Sequence, residues 1–219
     1  MAKSILTREK SKLIDCFRQN KLLIQNFYLS GGTALSEYYL HHRISEDLDF
    51  FSYHEIDTLW LTGFLFDIQK KLQIKKIRRR DVFNRNLVFL DFANESIKAE
   101  FTYYPFSQIE EPKVVENLRI DSLIDIAVNK FFTLYQKPSA RHFIDLYLIL
   151  TQTDYTFEIL QKQARIKFDT QIDPIQLGTQ LVKAKNISDL PKMIIRVSEN
   201  KWRQFFLDRA KELKKQIIR

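Results

Sequence analysis

Leu13, Ile14 and Phe17 fall on one helical face, with Arg8, Lys10, Lys12 and Arg18 between them, which predicts a helix over residues 6–20. Phe27-Tyr28-Leu29 is a short β-prone run that stops at Ser30-Gly31-Gly32. Residues 33–42 return to helical periodicity through Ala34, Leu35, Tyr38 and Tyr39. A strand follows over 48–51, with acids at alternate positions, and then an amphipathic helix over 56–72 through Leu59, Trp60, Phe64, Ile68 and Leu72. Three strand-like runs cover 74–79, 87–92 and 97–103. Asn94-Glu95-Ser96 between the last two suits a hairpin turn. Past Pro105 and Pro112 the character changes. From Asp121 onward only helical patterns remain, over 123–135, 141–150, 157–167 and 202–218, with Pro174 and Pro191 punctuating the tail. The expected fold class is α/β (α+β): an α/β lobe over residues 1–118, followed by a helical lobe over 119–219.

Composition narrows the field. In 219 residues, 45% are apolar, with 18 Phe, 9 Tyr and 2 Trp, enough to fill a packed interior. Cys16 is the single cysteine, so neither an internal disulfide nor a thiolate zinc cluster is available. Its helical neighbours predict a buried, inert thiol. The sequence MAKSILTREKSK lacks an apolar stretch of signal-peptide length, and no run is long enough to span a membrane, so a cytoplasmic protein is expected. The net charge of +8 is compatible with nucleotide or nucleic-acid partners. Lys70, Lys71, Lys75, Lys76, Arg78, Arg79, Arg80 and Arg85 form either a track for nucleic-acid phosphate or a solvated face, since strand alternation would divide them between two sides. His41 and His42 are adjacent and do not share a helix face, so a helix C-terminus explains them better than zinc does.

Only four glycines are present, and two of them are adjacent. Ser30-Gly31-Gly32-Thr33 at a strand-to-helix junction suits close approach of a phosphate; taken alone, it is better explained by a tight turn capped by Thr33. One short helix later comes Arg43-Ile44-Ser45-Glu46-Asp47-Leu48-Asp49-Phe50. Strand residues two apart share a face, so Asp47 and Asp49 project together while Leu48 and Phe50 enter the core. Paired carboxylates of this kind hold Mg²⁺, a hard cation that also binds phosphate oxygens. Over 97–103, Ile97, Ala99, Phe101 and Tyr103 form the apolar face, leaving Lys98, Glu100 and Thr102 on the open one. Glu100 is thus the candidate third carboxylate, with Asp91 in reserve. Arg43 and Ser45 either contact phosphate or fix the loop before Asp47.

The segments Gly31-Gly32-Thr33-Ala34-Leu35 and His42-Arg43-Ile44-Ser45-Glu46-Asp47-Leu48-Asp49-Phe50 closely resemble the first motif of the AbiEii/AbiGii-type nucleotidyltransferase toxins, of the DNA polymerase β-like superfamily. Lys130, with Arg141-x3-Asp145-Leu146-Tyr147, is similar to that family's second-lobe motif. The resemblance implies a mixed sheet bearing Asp47, Asp49 and Glu100 as catalytic and metal-binding residues, and NTP with Mg²⁺ as reactants. It also implies nucleotide contacts from Gly31, Gly32, Thr33, Arg43, Ser45, Lys130, Arg141 and Asp145. Members are toxins of toxin–antitoxin or abortive-infection systems, which makes an antitoxin protein a possible partner, and some act on tRNA 3′ ends. His142 stands where the family commonly has Asp, Lys137 where Arg is frequent, and Glu100 where Asp is common. His142 and Glu100 keep open a catalytically silent nucleotide- or RNA-binding protein. Lys130 either meets the triphosphate or runs its stem along a buried helix face, and Arg141 has Asp145 four residues on as an intrahelical partner.

Overall fold

The computed structural model describes residues 4–217, which form two compact units divided between Ser122 and Leu123. The first three residues of the segment read for a signal peptide, and the expected helix end at Ile218, lie outside them.

The first unit begins with helix α1 (Arg8–Gln19), capped by the Thr7 hydroxyl, which accepts from the Lys10 amide. Helix α2 (Lys21–Asn26) follows, capped by Asn20, and leads into strand β1 (Tyr28–Ser30). Helix α3 (Gly31–Leu35) continues as a π-helical turn over Ser36–Leu40, which ends at His41 in a left-handed conformation (φ 47°). The helix expected from residue 33 therefore starts two residues earlier and widens halfway. Next come β2 (Asp47–Ser52), α4 (Thr58–Leu72), β3 (Lys76–Val82), β4 (Arg85–Asp91), β5 (Ser96–Tyr103), β6 (Lys113–Val115) and β7 (Leu118–Ile120).

The seven strands lie in the order β3-β4-β5-β2-β1-β7-β6. The β2–β5 and β1–β7 pairs are parallel and the others antiparallel, so the sheet is mixed. Leu48 and Phe50 of β2 and Ala99 and Phe101 of β5 are buried on one face. There Phe17 of α1 packs edge-on to Phe50 with ring centroids 4.3 Å apart, and Phe64 of α4 lies 5.4 Å from Phe17. Each such ring removed from water contributes on the order of 1.5–3 kcal/mol, which fixes α1 and α4 to that face. Cys16 is buried in the same layer, and burial pushes its thiol pKa up, as expected for an inert position.

The second unit contains α5 (Leu123–Gln136), α6 (Ala140–Gln152), α7 (Phe157–Lys167), α8 (Pro174–Val182) and α9 (Glu199–Ile217). Its interior holds Phe131, Phe143, Leu177, Trp202 and Phe206. Helix α8 begins where Asp173 caps the Gln176 amide and Pro174 occupies the first turn. No helix among the described residues is long and apolar enough to cross a membrane.

Candidate active site

Strand β2 alternates as expected: Leu48, Phe50 and Ser52 are buried, while Asp47, Asp49 and Phe51 are half-exposed on the opposite face. Parallel pairing sets Asp47 beside Lys98 and Asp49 beside Glu100, so the third acid shares that face. One expectation needs correcting. Glu100 is not on an open surface, because it is only 5% exposed. Strand β5 lies between β4 and β2, and Arg85 of β4 covers the carboxylate. Its Nη2 donates to Glu100 Oε2 at 2.7 Å, and the Thr102 hydroxyl donates to Oε1 at 2.9 Å. Burial alone would raise the Glu100 pKa. The hydrogen bonds and charge of Arg85, with Thr102 and Lys98, outweigh it and hold the carboxyl below its usual range.

Lys98 completes the cluster. Its ammonium donates to Asp47 Oδ2 at 3.0 Å and lies 3.6 Å from Glu100 Oε2. Burial works to lower its pKa, but hydrogen bonding to Asp47 and the charges of Asp47, Glu100 and Asp49 prevail, so the pKa sits above the ordinary lysine value. Asp91, the reserve acid, pairs with Arg78 at 3.0 Å and accepts from Ser96 at the other end of β5.

The glycines have distinct geometric reasons. Gly31 has φ +71°, and a Cβ there would fall 2.1 Å from Asp49 Oδ2, so a side chain would displace the carboxylate. A Cβ on Gly32 would fall 2.6 Å from Ser45 Oγ and 2.8 Å from Arg43 Nη2. Arg43 and Ser45 thus lean directly on Gly32, and both are buried. The Thr33 hydroxyl, expected as an N-cap, donates instead to the Asp47 carbonyl. The first residue of α3 therefore fits against Asp49, and its third residue holds the backbone of Asp47.

Lys10 was not among the expected site residues. It is 6% exposed, and its ammonium donates to the Ser45 carbonyl at 2.6 Å, tying α1 to the loop that delivers Asp47. Burial lowers its pKa against the opposing pull of Glu95, Asp47 and Glu46. A signal existed: position 10 shares the helical face of Leu13, Ile14 and Phe17. Behind Gly31, the Ser30 hydroxyl donates to buried Asp121 at 2.7 Å, and Gln108 donates to the other Asp121 oxygen at 2.8 Å.

The remaining expected residues belong to the second unit. Lys130 is 8% exposed and donates into an ion pair with fully buried Asp145 at 2.6 Å. Asp145 therefore partners a lysine on the neighbouring helix rather than Arg141 on its own, and Arg141 is exposed. His142 is half-buried with Nδ1 3.1 Å from the Ser139 hydroxyl.

Register also sorts the basic run. Arg78 faces Phe89 and Arg80 faces Leu87 across β3–β4, while Phe89 faces Lys98 and Leu87 faces Glu100 across β4–β5. Lys76, Arg78 and Arg80 thus share the carboxylate face. Arg79 is on the other side, where it donates to Thr62 of α4 at 3.2 Å and to Asn86 at 2.7 Å.

The Lys98 ammonium lies between the Asp47 and Glu100 carboxylates, which shows the sign of charge the place attracts. Among the described residues, no group of three or more His, Cys, Asp or Glu side chains is gathered in a metal-ligating arrangement, and Arg85 and Lys98 engage Glu100 and Asp47.

A protein of Aquifex aeolicus named as uncharacterised, aq_aa25, is 31% identical over 152 residues, which span 67% of this chain and 68% of that one. Two solved structures from Helicobacter pylori share the fold. One is assigned as a nucleotidyltransferase (20% identity, TM-score 0.60, 96% of this chain and 97% of that one). The other is JHP933 (21% identity, TM-score 0.60, 96% and 94%). The profile of the nucleotidyl transferase AbiEii toxins of type IV toxin–antitoxin systems matches residues 14–215, nearly the whole chain, and the protein belongs to that family of enzymes.

Proposed function

We propose that this nucleotidyltransferase uses Mg²⁺ to move a nucleoside monophosphate from an NTP to the 3′ end of an RNA, tRNA being the acceptor that its family suggests. The observation that carries the reading is the placement of Asp47, Asp49 and Glu100 on one face of two paired strands, with Gly31 left bare to admit Asp49. Asp47 and Asp49 would hold the metal, with Glu100 as a third ligand. The metal would supply charge neutralisation at the phosphates and activation of the attacking hydroxyl. The acceptor hydroxyl loses its proton to water as its oxygen forms a bond to the α-phosphorus, the bond to the bridging oxygen breaks, and pyrophosphate leaves.

The chain's own groups prepare that step. Arg85 keeps Glu100 ionised, Lys10 and Thr33 hold the backbone on either side of Asp47, and Arg43 and Ser45 offer a guanidinium and a hydroxyl beside Gly32 for phosphate oxygens. Lys130, oriented by Asp145, and Arg141 are the second unit's candidates for nucleotide contact that the family resemblance implies. The enzyme would work in the cytoplasm, opposed by an antitoxin of the same system. Incubating the chain with each labelled NTP, Mg²⁺ and total cell RNA tests the proposal. Label should appear on RNA, with release of pyrophosphate. Label on protein would overturn the acceptor, and NTP binding without any pyrophosphate would favour a catalytically silent nucleotide-binding protein.

A further inference from the structure

Strands β3 and β4 are joined by a two-residue turn, Phe83-Asn84, since Val82 pairs with Arg85. Phe83 has φ +51° and is fully exposed, at 103% of its reference area. Both facts oppose ordinary local preference. A left-handed position in a short hairpin favours Gly or Asn, and an aromatic ring held entirely in water gains nothing from burial. A residue that breaks both rules without folding benefit points to contact with something else.

The surroundings say what that is. On the carboxylate face, Lys76, Arg78 and Arg80 line β3, and the Arg78 guanidinium lies 5.2 Å from the Phe89 ring centre. Asp81, Asn84 and Arg85 flank the ring, so it has a polar rim of mixed charge in place of the apolar collar that a protein-docking patch carries. A cavity of about 370 Å³ adjoins the ring on the α4 side of the hairpin, lined by Glu55, Thr58, Asp81, Asn86 and Tyr103, while the cations stand on the opposite side. Cations along the carboxylate face of β3 that lead to a bare aromatic ring suit a single-strand platform, where bases stack and the backbone follows the charges.

The platform is also close to the acids. The Tyr103 amide donates to the Asn84 carbonyl at 2.9 Å, so the tip lies level with a residue three beyond Glu100 on β5. At strand spacings this is about 10 Å along the sheet and about 5 Å across it. We infer that Phe83 stacks an unpaired base of the acceptor a few nucleotides from the reacting 3′ end, with Lys76 and Arg80 holding the backbone on the carboxylate face. This rests on the reading that the acceptor is RNA.

The test measures binding of the full chain to a fluorescent single-stranded oligoribonucleotide and to the same sequence as a duplex, without NTP or metal. Phe83→Asn suits the turn, so folding is retained, and it should weaken single-strand binding about fivefold to a hundredfold, the range expected for one lost stack, with little effect on the duplex. Phe83→Trp should restore it. Lys76→Gln with Arg80→Gln should reduce the salt slope by about two, whereas Arg79→Gln should leave it unchanged. Parent-like binding by Phe83→Asn, or an equal loss on duplex, overturns the platform. Binding as expected without any transfer of label overturns the reaction proposed above and leaves the platform standing.

Discussion

The Lys98–Asp47 pair of the sheet and the pairs of the helical unit use the same residue types, yet they differ in exposure. Lys98 and Asp47 are 3.0 Å apart with side chains 27% and 28% exposed. In the helical unit, Lys130–Asp145 and Lys167–Asp125 are each 2.6 Å apart, and no side chain among the four exceeds 9% exposure. An accessible pair contributes about 0–1 kcal/mol, because water solvates both partners well when they separate. Separating a sealed pair strands a charge and costs about 3–5 kcal/mol. Asp47 can therefore exchange its lysine for another cation at small cost, whereas the sealed helical pairs hold α5 against α6 and α7. Chemistry belongs where the partner can be exchanged.

The largest effect should come from Asp47→Asn or Asp49→Asn. Each change keeps shape and removes charge, and transfer should fall by roughly a thousandfold, about 4 kcal/mol of barrier, with unfolding little altered. Activity within a few-fold of the parent, in the radiolabel assay, would put the reaction elsewhere.

On the other side of the comparison, Asp145→Ala should lower stability by about 3–5 kcal/mol, equivalent to roughly 6–20 °C in melting temperature. Lys130→Met combined with Asp145→Leu should recover most of that, because neither charge is then stranded. If Lys130 also serves the triphosphate, the double variant regains its melting temperature but binds NTP about ten- to a hundredfold more weakly. Parent-like NTP affinity would make the pair wholly structural.

The smallest effect tests exchangeability itself. Lys98→Gln removes the ammonium that competes for Asp47, so Mn²⁺ affinity measured by calorimetry should rise about two- to fivefold. Unchanged or weaker binding would mean that Lys98 assists the metal site instead of shielding it.

Much of the site could be read along the chain. The side-chain period of a strand is two, so Asp47 and Asp49 were bound to share a face once Leu48 and Phe50 were buried, and the same argument aligned Lys98, Glu100 and Thr102. Gly31 and Gly32 stood out for their rarity. The three-residue strands β6 and β7 gave no periodicity to detect, and helices α2 and α8 are short segments announced only by the caps Asn20 and Asp173.

The alternation of apolar and charged positions by itself determined the mixed α/β character, the helical second half and the face on which the acids stand, since each depends only on neighbours within a few residues. Tertiary structure alone decided the partners: Arg85 over Glu100, Lys10 beneath Ser45, and Lys130 in place of Arg141 beside Asp145. It also decided that Arg80 faces the acids while Arg79 faces α4. These contacts join residues that are distant in sequence or belong to different elements. A charge's partner depends on which strand or helix is packed beside it and in what register, and neither is encoded by local spacing.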